Sequence, residues 1–210
     1  MIFDTHAHYD DEAFDEDRDE LLTRLFNKDI DVIVNVGASL SGCRQSVELA
    51  NKYEKMYCAI GVHPDDYDKL NEEFLEWIKK EAMINPKVVA IGEIGLDYYY
   101  FHSPKEMQKK WFKRQIEMGI ELDLPLIIHD RDAHGDTLQI LKEFKDNRVR
   151  GILHCFSGSI EFAKELIKLG FFISFSGSLV FPKSTRLKHV ARELPLSKIL
   201  IETDSPYLTP

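Results

Sequence analysis

Short runs of β-branched and apolar residues recur along the chain, separated by longer stretches in which apolar positions return every three or four residues. The short runs predict strands over 1–5, 30–36, 56–61, 88–92, 125–128, 150–153, 171–175 and 198–201. The longer stretches predict helices over 15–28, 39–54, 66–82, 104–122, 134–145, 159–168 and 183–193. Ser103-Pro104-Lys105-Glu106 is the clearest helix start, with Ser as cap, Pro in the first turn and Glu reaching back as a capping box. Strict alternation of strand and helix implies parallel pairing, because every crossover leaves room for a helix. Strands covered on both faces also explain near-continuous runs such as Ile30-Asp31-Val32-Ile33-Val34. Eight such units favour a closed α/β barrel of the TIM type, (β/α)8, over an open sheet. Barrels of this type typically run to about 250 residues, and here the pattern stops at the eighth strand. The expectation is one barrel domain over 1–210 that lacks the final helix after strand eight.

Composition narrows the class. With 210 residues, 44% hydrophobic and 30% charged, the chain has the apolar content of a soluble globular domain, which excludes disorder and a disulfide-stapled miniprotein. Three cysteines, Cys43, Cys58 and Cys155, are odd in number and widely spaced, which points to a reducing compartment. No apolar run reaches the length of a membrane span, and Met1-Ile2-Phe3 runs into Asp4 without a basic start. A cytoplasmic protein is expected, with no membrane and no obligate protein partner. The formal net charge is −9, and it is uneven: residues 1–100 carry 10 Lys and Arg against 22 Asp and Glu, residues 101–210 carry 17 against 14. That balance argues against a generic nucleic-acid coat. It still permits an enzyme that meets phosphate locally through bound cations.

The chemistry-bearing residues fall at strand ends. Of eight histidines, His102, His134 and His189 sit in a loop or on helices and read as incidental. His6, His8, His63, His129 and His154 all fall at the C-terminal ends of predicted strands, joined by Glu93 and Asp204. That rim is where barrels of this class place their chemistry. A lone rim histidine is more often a hydrogen-bonded structural residue than a ligand, but seven such residues on one rim reverse that weighting. His6 and His8, two apart, can aim their rings to one side. Imidazole and carboxylate donors together suit Zn, Mn or similar divalent ions rather than calcium. His6, His8, Glu93, His129, His154 and Asp204 are too many for one tetrahedral site and suit two divalent ions sharing a bridging acid. Two such ions would outweigh the carboxylates and leave a cationic pocket fit for an anionic substrate.

Weaker signals are read blandly. Asp15, Asp17 and Asp19 imitate an EF-hand start, but Glu20 replaces the required Gly and Phe26 the required Glu, so the run reads as a solvated helix start. Lys105, Lys109, Lys110, Lys113 and Arg114 read as an outer helix face, with Glu106 pairing Lys110. Phe156-Ser157-Gly158-Ser159 and Phe175-Ser176-Gly177-Ser178 form a near-repeat of small-residue turns rather than a phosphate cradle. Tyr98-Tyr99-Tyr100-Phe101 could stack on a base or pack over the rim, and both readings stand. Cys155 reads as a buried small hydrophobe.

Asp4-Thr5-His6-Ala7-His8, Gly61-Val62-His63-Pro64, Gly92-Glu93-Ile94-Gly95-Leu96-Asp97, Pro125-Leu126-Ile127-Ile128-His129-Asp130-Arg131, His154-Cys155-Phe156-Ser157-Gly158 and Glu202-Thr203-Asp204-Ser205-Pro206 resemble, in order, the signatures of TatD-type metal-dependent deoxyribonucleases. The resemblance implies a TIM barrel of the metal-dependent hydrolase superfamily and a centre of two divalent metal ions, Zn, Mn, Mg or similar. It implies that His6, His8 and Asp204 hold one ion, His129 and His154 the other, and Glu93 both. His63 and Arg131 match positions that face substrate phosphate. Asp204 is the candidate base that takes a proton from water, and the expected substrate is DNA with single-stranded or frayed ends. An amidohydrolase acting on a small cyclic amide, lactone or ester is the main alternative; such relatives often bridge their metals with a carboxylated Lys where this chain has Glu93. A non-catalytic metal-dependent binding protein would lack any need for the candidate base.

Overall fold

The computed structural model describes residues 2–28, 30–100 and 102–208. Met1, at the head of the first predicted strand, and Phe101, in the aromatic run, lie outside the described residues. In chain order the elements are β1 (Ile2–Ala7), α1 (Arg18–Phe26), β2 (Ile30–Gly37), α2 (Leu40–Lys52), β3 (Met56–Ile60), α3 (Glu72–Ile84), β4 (Val88–Asp97) and α4 (Lys105–Glu121). They continue with β5 (Leu126–Arg131), α5 (His134–Glu143), β6 (Gly151–Leu153), α6 (Ile160–Lys168), β7 (Phe171–Phe175), α7 (Thr185–Glu193) and β8 (Ile199–Ile201). The strands form one sheet in sequence order, each parallel to the next. The expected TIM-type barrel is therefore the fold, and it is nearly closed. Among the described residues seven α-helices follow the first seven strands, and β8 leads into a turn.

Side chains join β1 to β8 at the rim. The Thr5 hydroxyl donates to the Ile201 carbonyl at 3.0 Å, and the Thr203 hydroxyl and backbone N–H donate to the Asp4 carboxylate at 2.7 and 3.0 Å. Backbone bonds from Asp204 N–H to the His6 carbonyl and from His8 N–H to the Ser205 carbonyl complete the seam. These two backbone bonds place Asp204 beside His6 and His8, so the closure of the barrel also assembles one side of the site.

Alternation along the strands builds two apolar layers. Ile33, Ile60, Ile91, Ile94 and Leu96 pack outward against helix residues such as Phe112. Val34, Val36, Ala59, Ala90 and Ile127 form a smaller cluster on the opposite face, the barrel interior. The small alanines fit the confined interior, where layers of side chains fill the space below the rim.

Several boundaries differ from the sequence pattern, each for a local reason. α3 begins at Glu72 rather than near 66, because Pro64–Asp66 forms a separate 3-10 turn and the Asn71 side chain caps the helix by accepting from Phe74 N–H at 2.9 Å. α1 begins at Arg18, after a 3-10 turn over Glu12–Phe14 capped by Asp11. The capping box at Ser103 is absent: the Ser103 hydroxyl is buried without a partner, Pro104 takes the cap position with ψ 142°, and Glu106 is exposed. The helix is anchored instead by Gln108, whose side-chain amide donates to the Asp97 and Ser103 carbonyls at 2.8 and 2.9 Å. The Glu106–Lys110 pair also does not form; Lys109 binds Asp136 at 2.9 Å, and Lys110 lies over the Trp111 ring. The strand that differs most is β4, which runs five residues past Gly92 to Asp97.

Candidate metal centre

The extension of β4 positions Glu93. Pairing runs Ile91 to Leu126 and then Ile94 to Ile128, so three steps on β4 oppose two on β5. This bulge falls at Gly92-Glu93, and a bulge re-aims the side chain it carries. Beyond it, Gly95 pairs with His129 at φ 149°, and a Cβ there would sit 1.9 Å from the His129 carbonyl oxygen. Only glycine lets the strands approach this closely, and the approach brings His129 to Glu93.

Two groups of donor atoms meet on the two oxygens of that one carboxylate. Glu93 Oε2 lies 3.4 Å from His6 Nε2 and 3.6 Å from His8 Nε2. Those nitrogens are 3.0 Å apart, and Asp204 Oδ1 lies 3.8 and 3.5 Å from them. Glu93 Oε1 lies 2.8 Å from His154 Nε2 and 3.0 Å from His129 Nδ1, which are 3.3 Å from each other. All of these side chains are buried or nearly so. Asp204 reaches its place with φ 57°, in the left-handed region that Asp tolerates better than most residues.

Second contacts fix which ring atoms face inward. His8 Nδ1 donates to the Val36 carbonyl at 2.7 Å, which leaves Nε2 for the centre. His129 Nε2 meets Asp97 Oδ2 at 3.0 Å, which leaves Nδ1 for Glu93 and its neighbours. Glu202 Oε1 is held by Cys155 N–H at 2.6 Å and lies 3.6 Å from His154 Nδ1. A hydrogen-bonded outer carboxylate such as Asp97 orients an imidazole. His63 behaves differently. Its Nδ1 accepts from Asp65 N–H at 3.2 Å, so the neutral ring carries its proton on Nε2, 3.7 Å from Glu93 Oε1. That tautomer makes His63 a hydrogen-bond donor toward the centre rather than a ligand.

The electrostatics match a cation site. Burial works to raise Glu93, yet the His154 charge and bonds to His129 and His154 hold it well below the usual carboxylate range. Burial likewise opposes ionisation of Asp204, and His8 and His154 outweigh it, leaving Asp204 lowered. Burial depresses His129, but bonds to Asp97 and Glu93 push it up to about 9. His154 is raised well above the usual value, its burial overcome by the Glu93 charge and by Glu202. His8 is raised by Asp204 and Glu93 despite burial, whereas burial and the His154 charge lower His6. Burial, with the charge on His129, takes His63 down to about 3. Two ionised carboxylates among imidazoles aimed at common points are therefore compensated by protons, and divalent cations can replace those protons. Nitrogen and oxygen donors in this proportion fit Zn, Mn or a similar ion.

All six expected ligands thus converge, with His63 at the edge. Arg131 stands apart from them, its guanidinium carbon 4.0 Å from the Tyr99 ring centroid and 4.6 Å from that of Tyr100. Cys155 is only partly buried, rather than buried as expected, with φ 41° and its sulfur 3.2 Å from Ser176 Oγ. His134 is tied to Asp130 at 2.9 Å, away from the centre. Sequence reasoning did not single out Asp97, Glu202 and Asp4. Asp97 and Glu202 carry a usable signal, since each lies an even number of residues from a site acid on a strand or its extension, Glu93 and Asp204 respectively. Asp4 is likewise two residues before His6.

Comparison with known proteins gives a consistent result. A family model described as TatD related DNase matches residues 3–210. The chain is 45% identical to the uncharacterized metal-dependent hydrolase YabD of Bacillus subtilis over all of this chain and 82% of that protein. It is 33% identical to the 3'-5' ssDNA/RNA exonuclease TatD of Citrobacter koseri, over all of this chain and 80% of that protein. The crystal structure of YJJV, a TatD homologue from Escherichia coli, superposes with a TM-score of 0.88 at 30% identity, covering 98% of this chain and 79% of that one.

Proposed function

The chain belongs to the TatD related DNase family and is a metal-dependent hydrolase, and from that premise we propose that it hydrolyses phosphodiester bonds of DNA at a centre of two divalent ions. The observation that carries this reading is the division of Glu93: one oxygen faces His6, His8 and, through them, Asp204, while the other faces His129 and His154. His6, His8 and Asp204 would hold one ion, His129 and His154 the second, and Glu93 both. Ions bound there supply Lewis-acid charge and make water nucleophilic at neutral pH. Asp204 takes the proton that water gives up. It suits that role because its neighbours keep it ionised. Arg131, held by the Tyr99 and Tyr100 rings, offers two parallel N–H donors to a non-bridging phosphate oxygen pair. His63 adds a neutral N–H donor beside Glu93. Asp97 keeps the His129 ring aimed inward, and Glu202 places a carboxylate 3.6 Å from His154 Nδ1.

No helix among the described residues is long and apolar enough to cross a membrane. The three cysteines are free, which supports a reducing, cytoplasmic setting. The named activity of the Citrobacter koseri relative supports a nucleic-acid substrate. The test is digestion of end-labelled single- and double-stranded DNA by metal-reconstituted and demetallated protein, with amides and lactones as competing substrates. Cleavage that vanishes on chelation and returns with Mn, Mg or Zn is expected. Undiminished cleavage by exhaustively demetallated protein, or turnover confined to the amides and lactones, would overturn the proposal.

A further inference from the structure

Three tyrosines follow β4 in succession, and the fold treats them differently. Tyr98 turns inward: its hydroxyl donates to Asp136 Oδ2 at 2.6 Å, and its backbone N–H donates to the Arg131 carbonyl. Tyr99 and Tyr100 remain 58% and 54% exposed. Packing over the rim therefore accounts for Tyr98 and leaves its two neighbours unexplained.

What orients those two is polar and leads to the metal centre. Their backbone N–H groups both donate to Asp97 Oδ1 at 2.8 Å, while Asp97 Oδ2 lies 3.0 Å from His129 Nε2. One buried carboxylate thus fixes the aromatic pair relative to a residue of the second donor group. The two rings meet edge to face at 5.0 Å, and His102 extends the row, its ring nearly parallel to that of Tyr100 at 5.8 Å. Arg131 lies against both rings, and among the described residues no ion pair engages it. The surface therefore places, side by side, a cation with no ion pair among the described residues and two aromatic rings that are each more than half exposed, next to a carboxylate that binds the second donor group. A nucleotide combines the complementary parts, an anionic phosphate and a flat base.

We propose that Tyr99 and Tyr100 form a stacking platform for an unpaired nucleobase adjoining the phosphate that Arg131 binds. The proposal rests on the phosphodiesterase reading above and deepens it. A base inside a duplex has both faces covered by its neighbours, so the platform selects single-stranded ends. Aromatic stacking is tolerant of base identity because every base has a π face, so the platform confers strand selectivity without sequence preference.

The test compares wild type, Tyr99→Ala, Tyr100→Ala and the double variant, with Tyr99→Phe and Tyr100→Phe as conservative controls. The substrates are an end-labelled single-stranded oligonucleotide and the same oligonucleotide with abasic residues at both termini. Binding of a phosphorothioate version is followed by fluorescence anisotropy. On the base-bearing strand the Ala variants should raise KM by roughly five- to a hundredfold per lost stacking contact, with the effect falling on KM rather than kcat. The Phe variants should bind as wild type, and the abasic ends should erase the difference between wild type and Ala variants. Folded Ala variants with wild-type KM on the base-bearing strand overturn the platform alone. Wild type that cleaves neither oligonucleotide overturns the phosphodiesterase reading and the platform with it.

Discussion

Glu93 turns one oxygen toward each donor group, whereas His154 Nε2 lies with His129 Nδ1 in the second, so the two substitutions should separate in metal content. Glu93→Ala removes the carboxylate that the two-ion proposal makes shared, and with it the negative charge that would offset repulsion between the two cations. His154→Ala removes one neutral donor and leaves His6, His8, Glu93 and Asp204 around the first position. An ion present at a hundred times its Kd stabilises the fold by about 2.7 kcal/mol, so the two proposed ions would contribute about 5 kcal/mol. For a chain of this length each kcal/mol moves Tm by roughly 2–4 °C, and wild type should gain about 10–20 °C on adding metal. His154→Ala should keep roughly half of that gain, and Glu93→Ala almost none. The assay is calorimetry of each variant against its own metal-free baseline, with elemental analysis after dialysis and circular dichroism as the folding control. The barrel core lies below the rim, so both variants should fold. A folded Glu93→Ala protein that retains two tightly bound ions per chain would refute the bridging role.

Two further outcomes test how the fold supports the site. Gly95→Ala puts a Cβ 1.9 Å from the His129 carbonyl oxygen at a φ that side-chain-bearing residues avoid; overpacking and backbone strain together should cost about 3 kcal/mol or more. A Tm within about 2 °C of wild type would show that the strands can part at no cost. His134 is raised above its ordinary 6.5 by its bond to Asp130, against partial burial. A raised folded pKa means that its stabilisation is fully present below 6.5 and is lost as pH rises through the folded value. The stability difference between wild type and His134→Gln should therefore be largest in acid and shrink toward alkaline pH. A difference that stays constant across the titration would remove the Asp130 bond as its source.

The strand and helix order was legible along the chain because buried parallel strands leave near-continuous apolar runs, and the eight-unit barrel followed from their number. The rim residues were legible for the same reason: His6, His8, His129, His154, Glu93 and Asp204 stand at or near strand ends where apolar runs give way to polar residues. Local pattern was a poorer guide at Ser103, whose favourable capping sequence was overridden once Gln108 took the Ser103 and Asp97 carbonyls. Nothing local marked the end of β4 either, since the strand continues only because Gly95 permits close pairing with His129. The tautomers of His8, His63 and His129 depend on Val36, Asp65 and Asp97, so which ring atom each turns toward the centre needed three dimensions. So did the bulge that turns the two oxygens of Glu93 toward different histidine pairs. Periodicity records which face of an element is buried, a property of neighbouring residues. Which atoms then meet across the barrel depends on register and closure, and those were decided only when eight distant strands packed together.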